Sequence, residues 1–317
     1  MAGAVKLLIL GANGQVGHAA QRQAGAFLQN DLAELHAFGR NQVDLADPDQ
    51  LADALRSLRP DVVINAAAYT NVEKAEDEPK LALRVNAQAV GELAELCRHQ
   101  GARLIHYSTD YVFDGAAREP YTEDAALAPQ SSYGRSKAAG ERYLQEVGGN
   151  YLIFRTGWVF GLHGENFYRK ILRFARAKAA AQQALTVVDD QTGAPTPAEW
   201  LAELALSSVR RRAHGTDDYT GLLHAAASGS TTWHDYAELA LDLAAGTPLL
   251  PQRPDLQRVK TAAMNFKATR PAYSVLDTGR LSDWLGSEGP AIPQWRDAVR
   301  HAVEHDMRQP PSTSALT

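Results

Sequence analysis

Tyr133 and Lys137 stand four residues apart at the start of a helical pattern, Ser136-Lys-Ala-Ala-Gly-Glu-Arg-Tyr-Leu. Shortly before them runs Ser108-Thr-Asp-Tyr-Val-Phe-Asp-Gly115, with a hydroxyl at Thr109. A spacing of four puts both side chains on one helical face. A phenol ordinarily titrates near ~10, too high for easy proton exchange at neutral pH. An ammonium held beside it stabilises the phenolate and lowers that value. Tyr133 could then give a proton to a carbonyl oxygen while hydride arrives at the carbon. Thr109 could steady the same oxygen by hydrogen bond. An ordinary amphipathic helix also carries a bare Tyr-x-x-x-Lys, so this chemistry needs a hydride source and a cleft elsewhere in the chain.

The elements that would position these groups are legible. Arg103-Leu-Ile-His-Tyr107 has the short apolar look of a buried strand, which sets Thr109 and Asp110 just past its carboxyl end. In open α/β sheets that edge is where ligands bind. At the start of the chain a strand, Val5-Lys-Leu-Leu-Ile-Leu10, enters Gly11-Ala-Asn13-Gly14-Gln15-Val16-Gly17, with a helix expected over 19–28. Bare glycine amides and a helix N-terminus suit a pyrophosphate. Gly11, Asn13, Gly14, Gln15, Val16 and Gly17 are therefore read as dinucleotide contacts, although the pattern is G-x-x-G-x-x-G. A second strand over 34–38 ends in Gly39-Arg40. The carboxylate that accepts the ribose hydroxyls of NAD is missing there. Arg40 could instead pair with a 2′-phosphate, so NADPH is expected to be preferred, with NADH still usable.

A helix is expected over 48–58, a strand over 61–68 closing in small residues, and helices over 73–83 and 90–99 with Asn86 between them. Further along, strands are expected near 151–155, 185–188 and 222–225, and helices over 166–181, 198–210 and 232–243. Strands alternating with helices predict an α/β, Rossmann-type doubly wound parallel sheet with a smaller C-terminal α/β lobe. The expected partition is 1–160 for the dinucleotide-binding domain and 161–317 for the substrate lobe. The helix from Ala198 is expected to return to the first lobe, which makes the boundary discontinuous. The Pro-interrupted remainder yields no clear elements, and residues 309–317 read as disordered.

Composition narrows the class. At 317 residues there is chain enough for two modest domains, and a net charge of -5 gives no electrostatic reason to expect nucleic acid. The basic run at 210–212 is read as surface charge complementing a helix dipole. Cys97 is the single cysteine, so it forms no intrachain disulfide and is expected to be a buried, inert thiol. No apolar run approaches the ~20 residues that span a bilayer. The first such run is too short for a signal peptide. A cytoplasmic protein is the default.

The blocks GANGQVG, NAAA, YSTDYVFDG, Tyr133-x-x-x-Lys137 and FRTGWVFG together resemble the extended short-chain dehydrogenase/reductase superfamily, and dTDP-4-dehydrorhamnose reductases more closely still. DDQTGAPTPAE, the run from Thr231 to Leu239 and Thr269-Arg-Pro271 resemble further blocks of that family. The resemblance implies reduction of the 4-keto group of dTDP-4-dehydro-L-rhamnose by NAD(P)H, with Thr109, Tyr133 and Lys137 as catalytic trio. It also implies that Lys137 binds the nicotinamide ribose, that Asp44 and Leu45 contact the adenosine, and that Ala67, Ala68 and Tyr69 line the cofactor. Thr70, Val72, Asp110, Tyr111 and Trp158 would meet the sugar nucleotide; an indole face at Trp158 also suits stacking on a sugar or base in its own right.

The chain departs from the family at Ala19, where some members carry a glutamate of an intersubunit magnesium site. Alanine offers no oxygen to a hard cation, so no metal is expected there. That departure weakens any inference about assembly, for which a homodimer is the expectation. Two other readings compete with the reductase. One is another nucleotide-sugar epimerase or dehydratase, although the glutamate that dehydratases place after the threonine is missing from Thr109-Asp110-Tyr111. The other is a non-catalytic nucleotide-binding regulator, although both Tyr133 and Lys137 are present.

Overall fold

A computed structural model describes residues 3–216, 219–287 and 289–309. The first half of the chain alternates strand and helix: β1 (Val5–Leu10), α1 (Gln15–Leu28), β2 (Leu32–Phe38), α2 (Pro48–Leu58), β3 (Val62–Asn65), the short α3 (Val72–Ala75) and α4 (Pro79–Leu83), α5 (Ala89–Gln100), β4 (Arg103–Thr109), α6 (Ser132–Val147) and β5 (Tyr151–Thr156). The second half holds β6 (Val159–Phe160), α7 (Phe167–Ala180), β7 (Leu185–Val188), β8 (Thr192–Gly193), β9 (Thr196–Pro197), α8 (Ala198–His214), β10 (Gly221–His224), β11 (Thr231–Thr232), α9 (Trp233–Ala244), β12 (Leu256–Val259), α10 (Gly279–Leu285) and α11 (Trp295–Arg308).

Six strands form one sheet in the order β2-β1-β3-β4-β5-β10, every neighbouring pair parallel. The chain winds outward from β1 to β2, then returns past β1 to β3. The switch point therefore lies between β1 and β3, at their carboxyl ends. Successive strand residues feed opposite faces. Leu7, Ile9, Val62, Ile64, Ile105 and Phe154 pack with α1 and α8, while Leu8, Leu10, Val63, Leu104 and Ile153 pack with α2 and α5. Both faces are covered, and this is why these strands read as unbroken apolar runs. The chain between Thr156 and Ala198 leaves this unit, and α8 then returns to lie along α1. A smaller α/β lobe packs α7, α9 and α11 around Phe160, Tyr168, Tyr236 and Trp295, edged by the parallel pair β7-β12.

Several elements differ from expectation for definite reasons. Helix α1 opens at Gln15, inside the glycine run, because Gly17 lets the helix sit on the turn: a Cβ there would meet the Gly11 carbonyl oxygen at 2.2 Å. The strand expected over 61–68 stops at Asn65, leaving 66–68 outside the sheet. The single helix expected over 73–83 is two, since Pro79 starts α4, and Asn86 lies in a π-helical turn, Arg84–Gln88. Helix α11 had no counterpart in the expectations, although Trp295, Val299, Ala302 and Val303 recur at helical spacing and are buried.

The basic run at 210–212 does lie at the carboxyl end of its helix, with Arg211 and Arg212 in the last turn, but it is not only surface charge. Helix α8 continues past it to His214, and Arg211 donates to the Trp284 and Leu285 carbonyls, both at 2.7 Å, satisfying the end of α10. Cys97 is buried, its thiol pushed up to about 12 by desolvation. Of the tail expected to be disordered, residues 310–317 lie outside the described residues.

Candidate active site

Helix α6 begins where the Ser131 side chain accepts the Gly134 amide at 3.1 Å, and it then runs across β4. Tyr133, Lys137 and Glu141 recur every four residues and make one row along it. Beneath them, His106 and Ser108 share one side of β4 by strand alternation. Lys137 is 2% exposed; its Nζ donates to the Tyr107 carbonyl at 2.6 Å and lies 3.2 Å from His106 Nε2. Burial lowers the lysine to about 8, with the Glu141 charge acting in the opposite direction. That carboxylate is held by Ser108 and by Arg155 of β5, whose Nε and Nη2 donate at 2.9 and 2.7 Å. A buried charge needs such pairing to persist.

Tyr133 is half-buried, its ring edge-on to Tyr111 with centroids 5.7 Å apart. Desolvation holds its phenol well above the ordinary value, not below it as the Tyr133–Lys137 spacing suggested; Lys137 instead bonds the Tyr107 carbonyl and faces His106. Tyr133 is thus in its acid form at neutral pH. The Thr109 hydroxyl donates to Asp110 Oδ1 at 3.0 Å and accepts the Tyr111 amide at 3.2 Å. Asp110 is buried, and desolvation pushes it up to about 6 against the hydrogen bond from Thr109. Its Oδ2 lies against Gly157 and accepts no hydrogen bond among the described residues. A proton donor, a hydroxyl and a buried cation thus converge at the carboxyl end of β4, as a carbonyl reductase requires.

A cleft of about 210 Å³ opens at the switch point, walled by Gly11, Asn13, Gly14, Arg40, Ala67 and Thr70 among others. Gly14 caps α1 without a side-chain bond, and no acidic residue occupies the first turn. The amides and dipole at this end therefore suit a diphosphate. Arg40 is exposed at the cleft wall, with no hydrogen-bond or ion-pair partner among the described residues, where a 2′-phosphate would need it. These residues fit a phosphorylated dinucleotide.

Other expected contacts are partly committed to the protein. Gln15 uses its side chain on the second lobe, toward the Val159 carbonyl at 3.5 Å and from Asn166 at 3.0 Å, while Val16 packs on the first core. Asp44 accepts the Ala46 amide at 2.9 Å, and Leu45 is buried, though both border the cleft. Ala68 also borders it, but the Tyr69 hydroxyl is spent on Glu78 at 2.7 Å. Val72 opens α3. Trp158 is bound by protein: its indole lies flat on Trp233, centroids 3.6 Å apart, in a backbone with φ of +50°. One face expected to be open for a sugar is therefore covered.

Ala19 is buried in the first core. His234, Asp235 and Glu238 bring ligand atoms within 4.8 Å of one another, but Asp235 already bonds Arg258 at 2.8 Å.

Thr109, Asp110, Tyr111, Tyr133 and Lys137 thus form one group, and the glycine turn with Arg40, Asp44, Leu45, Ala67, Ala68 and Thr70 forms another. The link between the groups was not among the expectations: the Ala67 amide donates to Asn65 Oδ1 at 3.2 Å, Asn65 Nδ2 lies 3.1 Å from His106 Nδ1, and His106 reaches Lys137. The signal was a histidine inside an otherwise apolar strand, facing the same side as Ser108.

Comparison with known proteins assigns the chain to a family. The profile of the family described as RmlD substrate binding domain matches residues 5–308. The chain is similar to the dTDP-4-dehydrorhamnose reductase of Escherichia coli (strain K12), 40% identical over 305 residues, which span 94% of this chain and 97% of that one. It is 38% identical to the enzyme of the same name from Burkholderia thailandensis, over 96% of this chain and 100% of the relative. Among solved structures, the Bacillus anthracis dTDP-4-dehydrorhamnose reductase in complex with NADP superposes with a TM-score of 0.84 at 28% identity, covering 95% of this chain and 99% of that one.

Proposed function

Because the chain belongs to the dTDP-4-dehydrorhamnose reductase family, we propose that it reduces the 4-keto group of dTDP-4-dehydro-L-rhamnose to give dTDP-L-rhamnose, at the expense of NADPH. The observation that carries the reading is the meeting of Thr109, Tyr133 and Lys137 at the carboxyl end of β4, with Tyr133 half-buried and uncharged at neutral pH and Lys137 buried one helical turn behind it. NADPH supplies the hydride when bound. The amides at the start of α1 would hold its diphosphate, Arg40 its 2′-phosphate, and Ala67 and Ala68 would floor the cleft.

Tyr133 gives its proton to the substrate carbonyl oxygen, and Lys137, when it carries its own proton, would stabilise the phenolate left behind. Thr109 has a single hydroxyl proton, which is directed at Asp110. Turning it to the substrate oxygen makes Thr109 a donor to the developing alkoxide. Thr70, Val72, Asp110, Tyr111 and Trp158 would line the sugar-nucleotide site. No helix among the described residues is long and apolar enough to cross a membrane. A cytoplasmic homodimer with no nucleic-acid partner completes the proposal.

The test is a coupled assay in which the 4-keto sugar nucleotide is generated in situ and NADPH absorbance is followed. The expected result is loss of NADPH that starts only when the protein is added. Conversion of the sugar with no net loss of NADPH would instead indicate an epimerase.

A further inference from the structure

The buried chain from Ala67 to Lys137 has a direction. The Ala67 amide can only donate, and it donates to Asn65 Oδ1 at 3.2 Å, which fixes how the Asn65 amide faces. Asn65 Nδ2, also a donor only, then lies 3.1 Å from His106 Nδ1. Two donors share no hydrogen bond, so Nδ1 accepts and the imidazole proton sits on Nε2. Nε2–H faces Lys137 Nζ at 3.2 Å. An ammonium has no lone pair to receive that proton, whereas a neutral amine has one. Asn65 is 1%, His106 0% and Lys137 2% exposed, so bulk water is not at hand to repair a mismatched direction.

We infer that His106 is a positioning residue for the reduction: held as the Nε2–H tautomer by Asn65 and the Ala67 amide, it favours the neutral Lys137 amine and so sets how readily that lysine carries a proton. The effect on rate rests on the reductase reading, but the tautomer does not. Burial acts on the lysine in the same sense, and both burial and the lysine charge keep His106 neutral. The other groups facing Lys137 pull the opposite way or are already engaged. The Tyr107 carbonyl of β4 accepts from either form of the lysine, and Glu141 of α6 is bonded by Ser108 of β4 and Arg155 of β5. Tyr133, one turn earlier in α6, is uncharged at neutral pH.

The chain can be reversed without changing its size. In Asn65→Asp, one carboxylate oxygen still accepts the Ala67 amide, and the other accepts a proton from His106 Nδ1. Nε2 then becomes an acceptor for the Lys137 ammonium, and a negative charge is added nearby. Both changes raise the pH at which Lys137 loses its proton, by about 1 unit or more.

Two readouts need no turnover. In 15N-histidine-labelled wild-type protein, the His106 nitrogens should report a bare Nδ1 and a protonated Nε2 that do not titrate between pH 6 and about 9. The Lys137 13Cε resonance should titrate at higher pH in Asn65→Asp than in wild type, and the basic limb of kcat/KM should move with it. A proton found on Nδ1 of the wild-type imidazole would overturn the inference, and this arm survives even if the variant fails to fold. An unmoved or lowered Lys137 titration in a folded variant would overturn it too. If the Lys137 titration moves while the protein consumes no NADPH, the reductase reading fails and the inference about His106 stands.

Discussion

Lys137 Nζ donates to the Tyr107 carbonyl at 2.6 Å, so the lysine of α6 is tied to the backbone of β4. The bond registers the helix against the strand whose last residue is Thr109, and Tyr133 is brought to Thr109 by the same registration. The trio is therefore assembled by the fold itself, and substitutions within it should separate chemistry from binding.

Tyr133→Phe removes the proton donor and leaves the glycine turn untouched. Turnover should fall by about 100-fold or more. NADPH affinity, read by fluorescence titration, should change little. A variant keeping more than about a tenth of wild-type kcat would remove Tyr133 from the role of general acid. Lys137→Ala should lose both turnover and cofactor affinity.

Arg40→Ala tests the 2′-phosphate assignment. Arg40 is exposed and unpaired among the described residues, so its removal should leave thermal stability unchanged. The KM for NADPH should rise several-fold while that for NADH barely moves. Equal effects on the two cofactors, or a wild-type preference for NADH, would make Arg40 an ordinary loop residue.

Much of this was legible in sequence because it is local. The glycine turn, the Tyr133–Lys137 spacing and helix α2 over Pro48–Leu58 each follow from residues within a few positions of one another. What was missed is long-range. Nothing near Trp158 announces Trp233 as the ring stacked on it, and Asn65 and His106 meet only because β3 and β4 are neighbours in register. Arg211 reads as surface charge until α10 is seen to end against it. Polar pairs across elements leave no periodic trace.

Asp110→Asn tests the buried carboxyl. Its folded-state value, about 6, lies above the ordinary 3.8, so the native state binds this proton more tightly than the unfolded chain does. The Asp110 contribution to stability is fully present below about 4, falls as pH rises to about 6, and is flat above that. Asparagine cannot ionise and should abolish this trend, so the Tm of the variant should gain on wild type between pH 4 and about 7. A Tm difference that does not change with pH would show Asp110 to be ordinarily solvated.

Trp158→Ala should raise KM for the sugar nucleotide far more than for NADPH. It should also lower stability, by about 0.5–1.5 kcal/mol for the lost stacking on Trp233 alone. Trp233→Leu removes the same stack while keeping the Trp158 indole. A rise in sugar-nucleotide KM confined to the Trp158 variant would separate substrate contact from packing. Matching KM changes for both ligands would make the Trp158 indole structural.

The central claim is that one hydride passes to C4 of the keto sugar while Tyr133 protonates its oxygen. The direct measurement supplies dTDP-4-dehydro-L-rhamnose with NADPH carrying deuterium at the transferable position, and analyses the product by mass and NMR. The account predicts dTDP-L-rhamnose with one deuterium at C4, one NADPH consumed per product, and none of this with Tyr133→Phe. A product without deuterium, or an epimerised keto sugar formed with NADPH unconsumed, would contradict it.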